Sequence, residues 1–241
     1  MSERPSDSEI LKRLYGRRRG HRLRPGRQRL LDDLLPRLRV VPAEFGAPVD
    51  PAALFPGAQA DIWLEVGFGA GEHLAEQAAA HPDVGIIGCE PFIDGVANLL
   101  TLIEARSLHN VRIFDDNARI LFASLPDACL GRVYVLFNDP WPKARHAKRR
   151  FLNPETLDTL ARLMKDGAEL RFATDDTNLM IWSLERLAAH PDFAWTARRP
   201  ADWRNRPADG FETRYEAKAT AAGRACTYLN FRRIARGLTG G

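Results

Sequence analysis

From Asp61 onward the chain alternates short apolar runs with longer amphipathic ones, and one junction narrows the possible folds more than any other. Leu64-Glu65-Val66-Gly67-Phe68-Gly69-Ala70-Gly71-Glu72-His73 reads as a strand that enters a turn with three glycines and leaves as a helix. Runs at 62–66, 84–89, 111–114, 133–137 and 168–173 have the length and apolar density of buried strands. Helical spacing covers 71–80, 93–106, 118–124, 154–165 and 178–190. Strand–helix alternation with short links predicts a doubly wound α/β domain, with a mostly parallel sheet and helices on both faces. After Ala194-Trp195 the pattern changes, and 227–234 reads as a closing strand free to run antiparallel.

Composition excludes several classes. Hydrophobic content of 45% and charged content of 27% are those of an ordinary globular domain. The three cysteines, Cys89, Cys129 and Cys226, are far apart and form no CxxC pair, which argues against a disulfide framework or a zinc site. No run approaches 18 consecutive apolar residues, and the first residues hold no signal-peptide core. The expectation is a soluble cytoplasmic protein without metal, membrane contact or an obligate protein partner. Net charge is only +4, but residues 12–29 hold nine Lys/Arg and no acid. With Gly16, Gly20, Pro25 and Gly26 as helix breakers, residues 1–30 read as a flexible basic N-terminal arm. Five prolines between 36 and 57 read as an irregular lead-in. The expected division is therefore 1–57 for arm and lead-in, and 58–241 for the folded domain.

At one end of the sheet the residues point to a nucleoside cofactor. Gly67, Gly69 and Gly71 allow backbone to approach a ligand, with a helix N-terminus behind them. Glu72 stands where the dinucleotide fingerprint GxGxxG needs its last glycine. Glu65, two residues before the first glycine, repels a pyrophosphate and suits a cationic amino-acid ligand. S-adenosylmethionine (SAM) fits both facts. Glu90, at the second strand end, is placed to accept both ribose hydroxyls, and Asp116 with Asn117, after the third, offer an acceptor and an amide to an adenine edge. Ordinary capping roles compete at each of these positions.

The fourth strand runs into Asn138-Asp139-Pro140-Trp141-Pro142, a proline-stiffened turn, and then into Lys143, Arg145, His146, Lys148, Arg149 and Arg150. An acidic, aromatic tip at a central strand end lies where open α/β sheets bind ligands, and the cationic tract beside it suits phosphates of a polyanion. A solvated helix face is the bland alternative. Together Glu65 to Gly71, Glu90-Pro91, Asp139-Pro140-Trp141-Pro142-Lys143, Arg145-His146 and Lys148-Arg149-Arg150 resemble the tRNA (guanine-N7-)-methyltransferases. Thr174-Asp175 and Thr213-Arg214-Tyr215-Glu216 match later motifs of that family, so the resemblance spans about residues 60 to 218. It implies a class I, Rossmann-like, SAM-dependent methyltransferase that modifies guanine 46 in the variable loop of tRNA. It also implies cofactor contacts at Glu65, Glu90, Asp116, Asn117 and Asp139, and substrate contacts at Lys143, Asp175 and Thr213 to Glu216.

Guanine N7 carries an in-plane lone pair and attacks a methyl group without first losing a proton, so positioning outweighs base strength. Asp139 is the expected catalytic residue, and Glu216, able to accept from N1–H and N2–H, the expected reader of the base. One rival places Asn138-Asp139-Pro140-Trp141 beside the Asn-Pro-Pro-Trp/Tyr tetrad of amino-methyltransferases, although the Asp interrupts it. A nucleic-acid-binding protein with a vestigial cofactor fold is the rival from another class.

Overall fold

The computed structural model describes residues 18–20, 22–42, 49–57 and 59–236. Its centre is a seven-stranded sheet in the order β3-β2-β1-β4-β5-β7-β6, built from β1 Asp61–Val66, β2 Val84–Cys89, β3 Val111–Phe114, β4 Leu130–Leu136, β5 Met164–Thr174, β6 Phe193–Trp195 and β7 Thr227–Arg233. The first five strands in that order are parallel, and β7 runs antiparallel between β5 and β6. Chain order reverses at β1, whose neighbours are β2 and β4, so a crevice opens beyond the C-terminal ends of these strands.

Alternation along the strands divides the core into two layers. Ile62, Leu64 and Val66 pack on one face with Leu157, Leu160, Leu179 and Leu187, from helices Pro154–Leu163 and Thr177–Ala189. Trp63 and Tyr134 pack on the other with Leu74, Leu99, Leu100 and Ile103, from helices Glu72–Ala80 and Ile93–Arg106. In chain order the α-helices are α1 Pro25–Asp33, α2 Leu35–Leu38, α3 Glu72–Ala80, α4 Ile93–Arg106, α5 Ala118–Phe122, α6 Pro154–Leu163, α7 Thr177–Ala189, α8 Ala201–Arg204 and α9 Arg214–Ala221, among the described residues.

Two expectations need correction. Pro25 does not break a helix; it occupies the first turn of α1, where its missing N–H has no partner to lose. Leu30 and Leu35 are buried in the α3–α4 layer, which favours docking by roughly 1.5–3 kcal/mol each. That outweighs the exposed Arg29–Glu104 ion pair, worth about 0–1 kcal/mol. Val40 N–H then donates to the Ile113 carbonyl at 2.8 Å beside β3. The basic segment from Arg22 to Val40 is thus seated on the sheet and its helices; residues 1–17 and 21 of the expected arm lie outside the described residues. After Trp195, where the strand–helix alternation changes, α8 and α9 precede β7. The second correction is that the helix expected over 154–165 stops at Leu163, and β5 starts at once.

Candidate active site

The three glycines after β1 all take left-handed backbone, with φ of 69°, 57° and 81° at Gly67, Gly69 and Gly71. The turn they form is closed against α4: a Cβ on Gly95 would sit 2.1 Å from the Gly69 carbonyl oxygen. Beside this turn lies a cavity of about 470 Å³, within the range of small-ligand sites. Its walls include Gly67, Gly69, Glu90, Asn138, Asp139 and Tyr215.

Glu90 is 8% exposed and accepts two backbone hydrogen bonds, Gly69 N–H at 2.8 Å and Phe92 N–H at 2.9 Å. Burial raises its pKa above the ordinary carboxylate range; the two N–H groups oppose that rise, and the negative charges of Asp139 and Glu65 add to it. Each oxygen keeps lone-pair capacity, so the carboxylate that braces the turn can also accept hydroxyls. Glu65 lies beneath the turn rather than on the cavity wall, 3% exposed, and accepts from His73 Nδ1 at 2.8 Å. Asp116 and Asn117 stand at the next strand end over, outside the cavity wall. Asp116 pairs with Arg18 and accepts the Asn117 N–H at 2.7 Å, while Asn117 caps α5 by accepting from Arg119 N–H.

Asp139 faces the cavity from the opposite side, on the turn after β4. Two non-glycine residues flank it in left-handed backbone, Phe137 at φ 51° and Trp141 at φ 44°. Such conformations cost about 1–3 kcal/mol each and persist where the surroundings over-determine them. Arg150 supplies much of that constraint. It is 7% exposed, donates to the Pro140 carbonyl at 3.1 Å and the Trp141 carbonyl at 3.4 Å, and lies 4.8 Å from the Trp182 ring centre. The expected phosphate contact at Arg150 is therefore corrected: this guanidinium is turned inward and pins the turn. Burial also raises the Asp139 pKa.

The rest of the tract winds through a 3₁₀ helix, Ala144–Arg149. Lys143, Arg145 and Lys148 are exposed. Arg149 lies 5.0 Å from the Trp141 ring centre, and His146 meets the edge of the same ring at 5.8 Å. Partial desolvation, then the neighbouring Arg149, Arg145 and Lys143, lower the His146 pKa.

A second cavity of about 30 Å³ lies against the first, with Phe137 on both walls. It is lined by His73, Tyr134, Phe211, Thr213, Glu216 and Tyr228 among others. Thr213 caps α9, accepting the Glu216 N–H at 3.0 Å. Glu216 is 6% exposed; it accepts from the Tyr228 hydroxyl at 2.6 Å and pairs with Arg206 at 3.4 Å. Tyr215 covers Gly69, and Arg214 pairs with Glu72 at 2.9 Å, so α9 closes over the glycine turn. Asp175 accepts from Arg224 at 2.7 Å, whereas the α7 cap is its neighbour Asp176. Asp175 lines neither cavity.

Reading the sequence alone missed Arg27 and Asn98, which reach the first cavity together. Arg27 donates to the Asn98 side-chain oxygen at 2.9 Å, and Asn98 donates to the Ala70 carbonyl within the glycine turn. The Pro25 start and the leucines at 30, 31, 34 and 35 carried the signal for their helix. Among the described residues no cluster of three His, Cys, Asp or Glu is able to hold a metal ion, and no helix is long and apolar enough to cross a membrane.

Comparison with known proteins identifies the family. A family model described as "Putative methyltransferase" matches residues 59–229. A tRNA (guanine-N(7)-)-methyltransferase of Rhodospirillum rubrum is 52% identical over 98% of this chain and 92% of its own length. One from Paramagnetospirillum magneticum is 52% identical over 93% and 94%, and one from Zymomonas mobilis is 45% identical over 95% and 97%. Among solved structures, the 16S rRNA methyltransferase KamB aligns with TM-score 0.52 at 17% identity, over 73% of this chain and 89% of its own. An rRNA methylase from Streptococcus thermophilus aligns with TM-score 0.51 at 10% identity, over 73% and 87%. These two establish the fold alone.

Proposed function

Because the chain belongs to the tRNA (guanine-N7-)-methyltransferase family, we propose that it moves a methyl group from SAM to N7 of guanine 46 in the tRNA variable loop, in the cytoplasm. The observation that carries this reading is the shared wall. Phe137 stands between a cavity walled by glycine backbone and Asp139 and a second pocket that holds Glu216, and the cationic tract follows Asp139 within a few residues.

The residues fit SAM. The cavity volume suits a nucleoside ligand, the glycine turn admits close approach, and Glu90, Asp94 and Asp139 give the wall an acidic character that complements a sulfonium cation. When bound, SAM supplies an electrophilic methyl group whose bonding pair stays with sulfur. Glu90 would hold the ribose hydroxyls; Glu65, beneath the turn, would add negative charge toward the amino-acid end, and Asp116 with Asn117, at the adjoining strand end, would meet the adenine edge beyond the cavity wall. Asp139, on the cavity wall, would orient the guanine and stabilise the positive charge that the base acquires as N7 bonds to carbon and the carbon–sulfur pair goes to sulfur. No proton leaves N7, so His146, with its lowered pKa among cations, is not a general base. Thr213 and Glu216 read the base edge; Lys143, Arg145, Lys148 and Arg149 hold phosphates, with the basic N-terminal segment as a further backbone contact.

The test is chemical. Incubation with methyl-labelled SAM and unmodified tRNA, followed by digestion to nucleosides, should yield label in 7-methylguanosine. Label on an exocyclic amine would support the amino-methyltransferase alternative, and SAM-independent tRNA binding without transfer the vestigial one.

A further inference from the structure

Glu65 and the loop before Thr213 lie on different elements, yet a chain of hydrogen bonds joins them through the interior. Glu65 Oε2 accepts from His73 Nδ1 at 2.8 Å, and both side chains are 4% exposed. One helical turn further along α3, Gln77 is fully buried; its Nε2 lies 3.4 Å from His73 Nε2 and donates to the Asp209 carbonyl at 2.9 Å. The directions of these bonds are fixed. The Asp209 carbonyl only accepts, so the Gln77 amide nitrogen must face it. That nitrogen only donates, so His73 Nε2 accepts and Nδ1 carries the proton given to Glu65. The Gln77 side-chain oxygen is buried with no hydrogen-bond partner, so the amide is held in place through its nitrogen.

The far end of the chain is the part that has to move. The loop carrying Pro207, Gly210, Phe211 and Thr213 forms one side of the second cavity, and His73 and Tyr134 stand on its wall. At about 30 Å³ the cavity holds one water, not a purine. A guanine entering there displaces the loop, whose anchors at Asp209 are two contacts with Arg171, at 2.8 and 2.9 Å, a longer one with Arg132 at 3.4 Å, and the Gln77 bond. Losing the Gln77 bond frees a buried amide to turn, and with it the tautomer that orients His73 toward Glu65.

We propose that His73 and Gln77 are positioning residues of a relay, Glu65–His73–Gln77–Asp209, which couples the carboxylate beneath the cofactor to the loop that yields to the base. This rests on the function proposed above and adds that cofactor and tRNA report their binding to each other through it.

The experiment uses the full chain, with S-adenosylhomocysteine as cofactor probe and unmodified tRNA. Its dissociation constant is measured calorimetrically with and without tRNA. In the unsubstituted protein tRNA should change it by about fivefold or more. In Gln77→Leu that change should fall below about twofold, with the affinity without tRNA already shifted toward the value that the unsubstituted protein shows with tRNA. His73→Phe, which strands the Glu65 carboxylate, should weaken the probe by about tenfold or more. His73→Asn restores a donor near the Nδ1 position and should recover affinity without recovering the tRNA effect. Should Gln77→Leu fail to fold, Gln77→Glu, of equal size but with an acceptor against the Asp209 carbonyl, replaces it. A tRNA effect that survives both Gln77 variants overturns the relay, as does its absence from a protein that methylates tRNA, or an equal loss of probe affinity in both His73 variants. A protein that neither binds the probe nor methylates tRNA overturns the function instead.

Discussion

At the cofactor end of the cleft the walls are main chain, drawn tight around three left-handed glycines and braced by a carboxylate with two backbone donors. At the substrate end the walls are largely side chains, among them Arg171, which pairs with Asp209, and Glu216, which pairs with Arg206. The first arrangement is ready before any ligand arrives. The second holds a cavity too small for its proposed occupant, and its contacts have to change on binding. One end selects by shape; the other selects by what it can rearrange around.

That contrast breaks first at Asp139, on the cofactor-side wall two residues after Phe137, which lines both cavities. Asp139→Ala should lower kcat by about 10²-fold or more in a methyl-transfer assay, with an unchanged melting temperature. Retained turnover would remove Asp139 from the reaction. Next in size is the rigid end. In Gly95→Ala the new methyl meets a backbone oxygen that has nowhere to go, so cofactor affinity should fall, with about 1–3 kcal/mol lost on denaturant unfolding. Tight cofactor binding in this variant would mean that the turn is softer than its geometry indicates.

The cationic tract separates into two kinds of residue. Arg150→Ala should lower stability by about 1.5–3 kcal/mol, since it strips the Pro140–Trp141 turn of its donors. Lys148→Ala should leave stability alone and reduce the salt slope of tRNA binding by about 0.7–0.9. The smallest effect is on pH. Burial raises the pKa of Glu90 and of Asp139, so protonation begins at higher pH than for an exposed carboxylate. A sulfonium needs the ionised forms, so SAM affinity should fall as pH drops through that raised range, and Asp139→Asn should shrink the dependence. The sign for stability is opposite: a raised carboxyl pKa penalises the fold above it and relaxes that penalty as pH falls. A flat affinity profile would show that the acids do not face the sulfonium.

Much of this was legible in the residues themselves. The strand ranges 84–89 and 111–114 and the helix 93–106 coincide with the structure, because uninterrupted apolar density leaves little choice of element. The glycine turn and the Asp139 turn emerged on one cleft, as their strand ends required. The N-terminal helix is hidden in the sequence because Pro and Gly break a helix interior, whereas Pro25 starts one. Arg150 was counted with its neighbours because charge says nothing about direction; burial against Trp182 decides it. His73 and Gln77 drew no attention as polar residues on an ordinary helix, and only the fold brings Asp209 to them.

The most direct measurement maps the methyl group on the RNA. Unmodified tRNA is treated with the protein and SAM, then cleaved chemically at 7-methylguanine and resolved by length. Cleavage at a single guanine of the variable loop, abolished in Asp139→Ala, is the predicted result. Uncleaved tRNA, or cleavage scattered over other guanines, would contradict a cleft that presents one base to one cofactor.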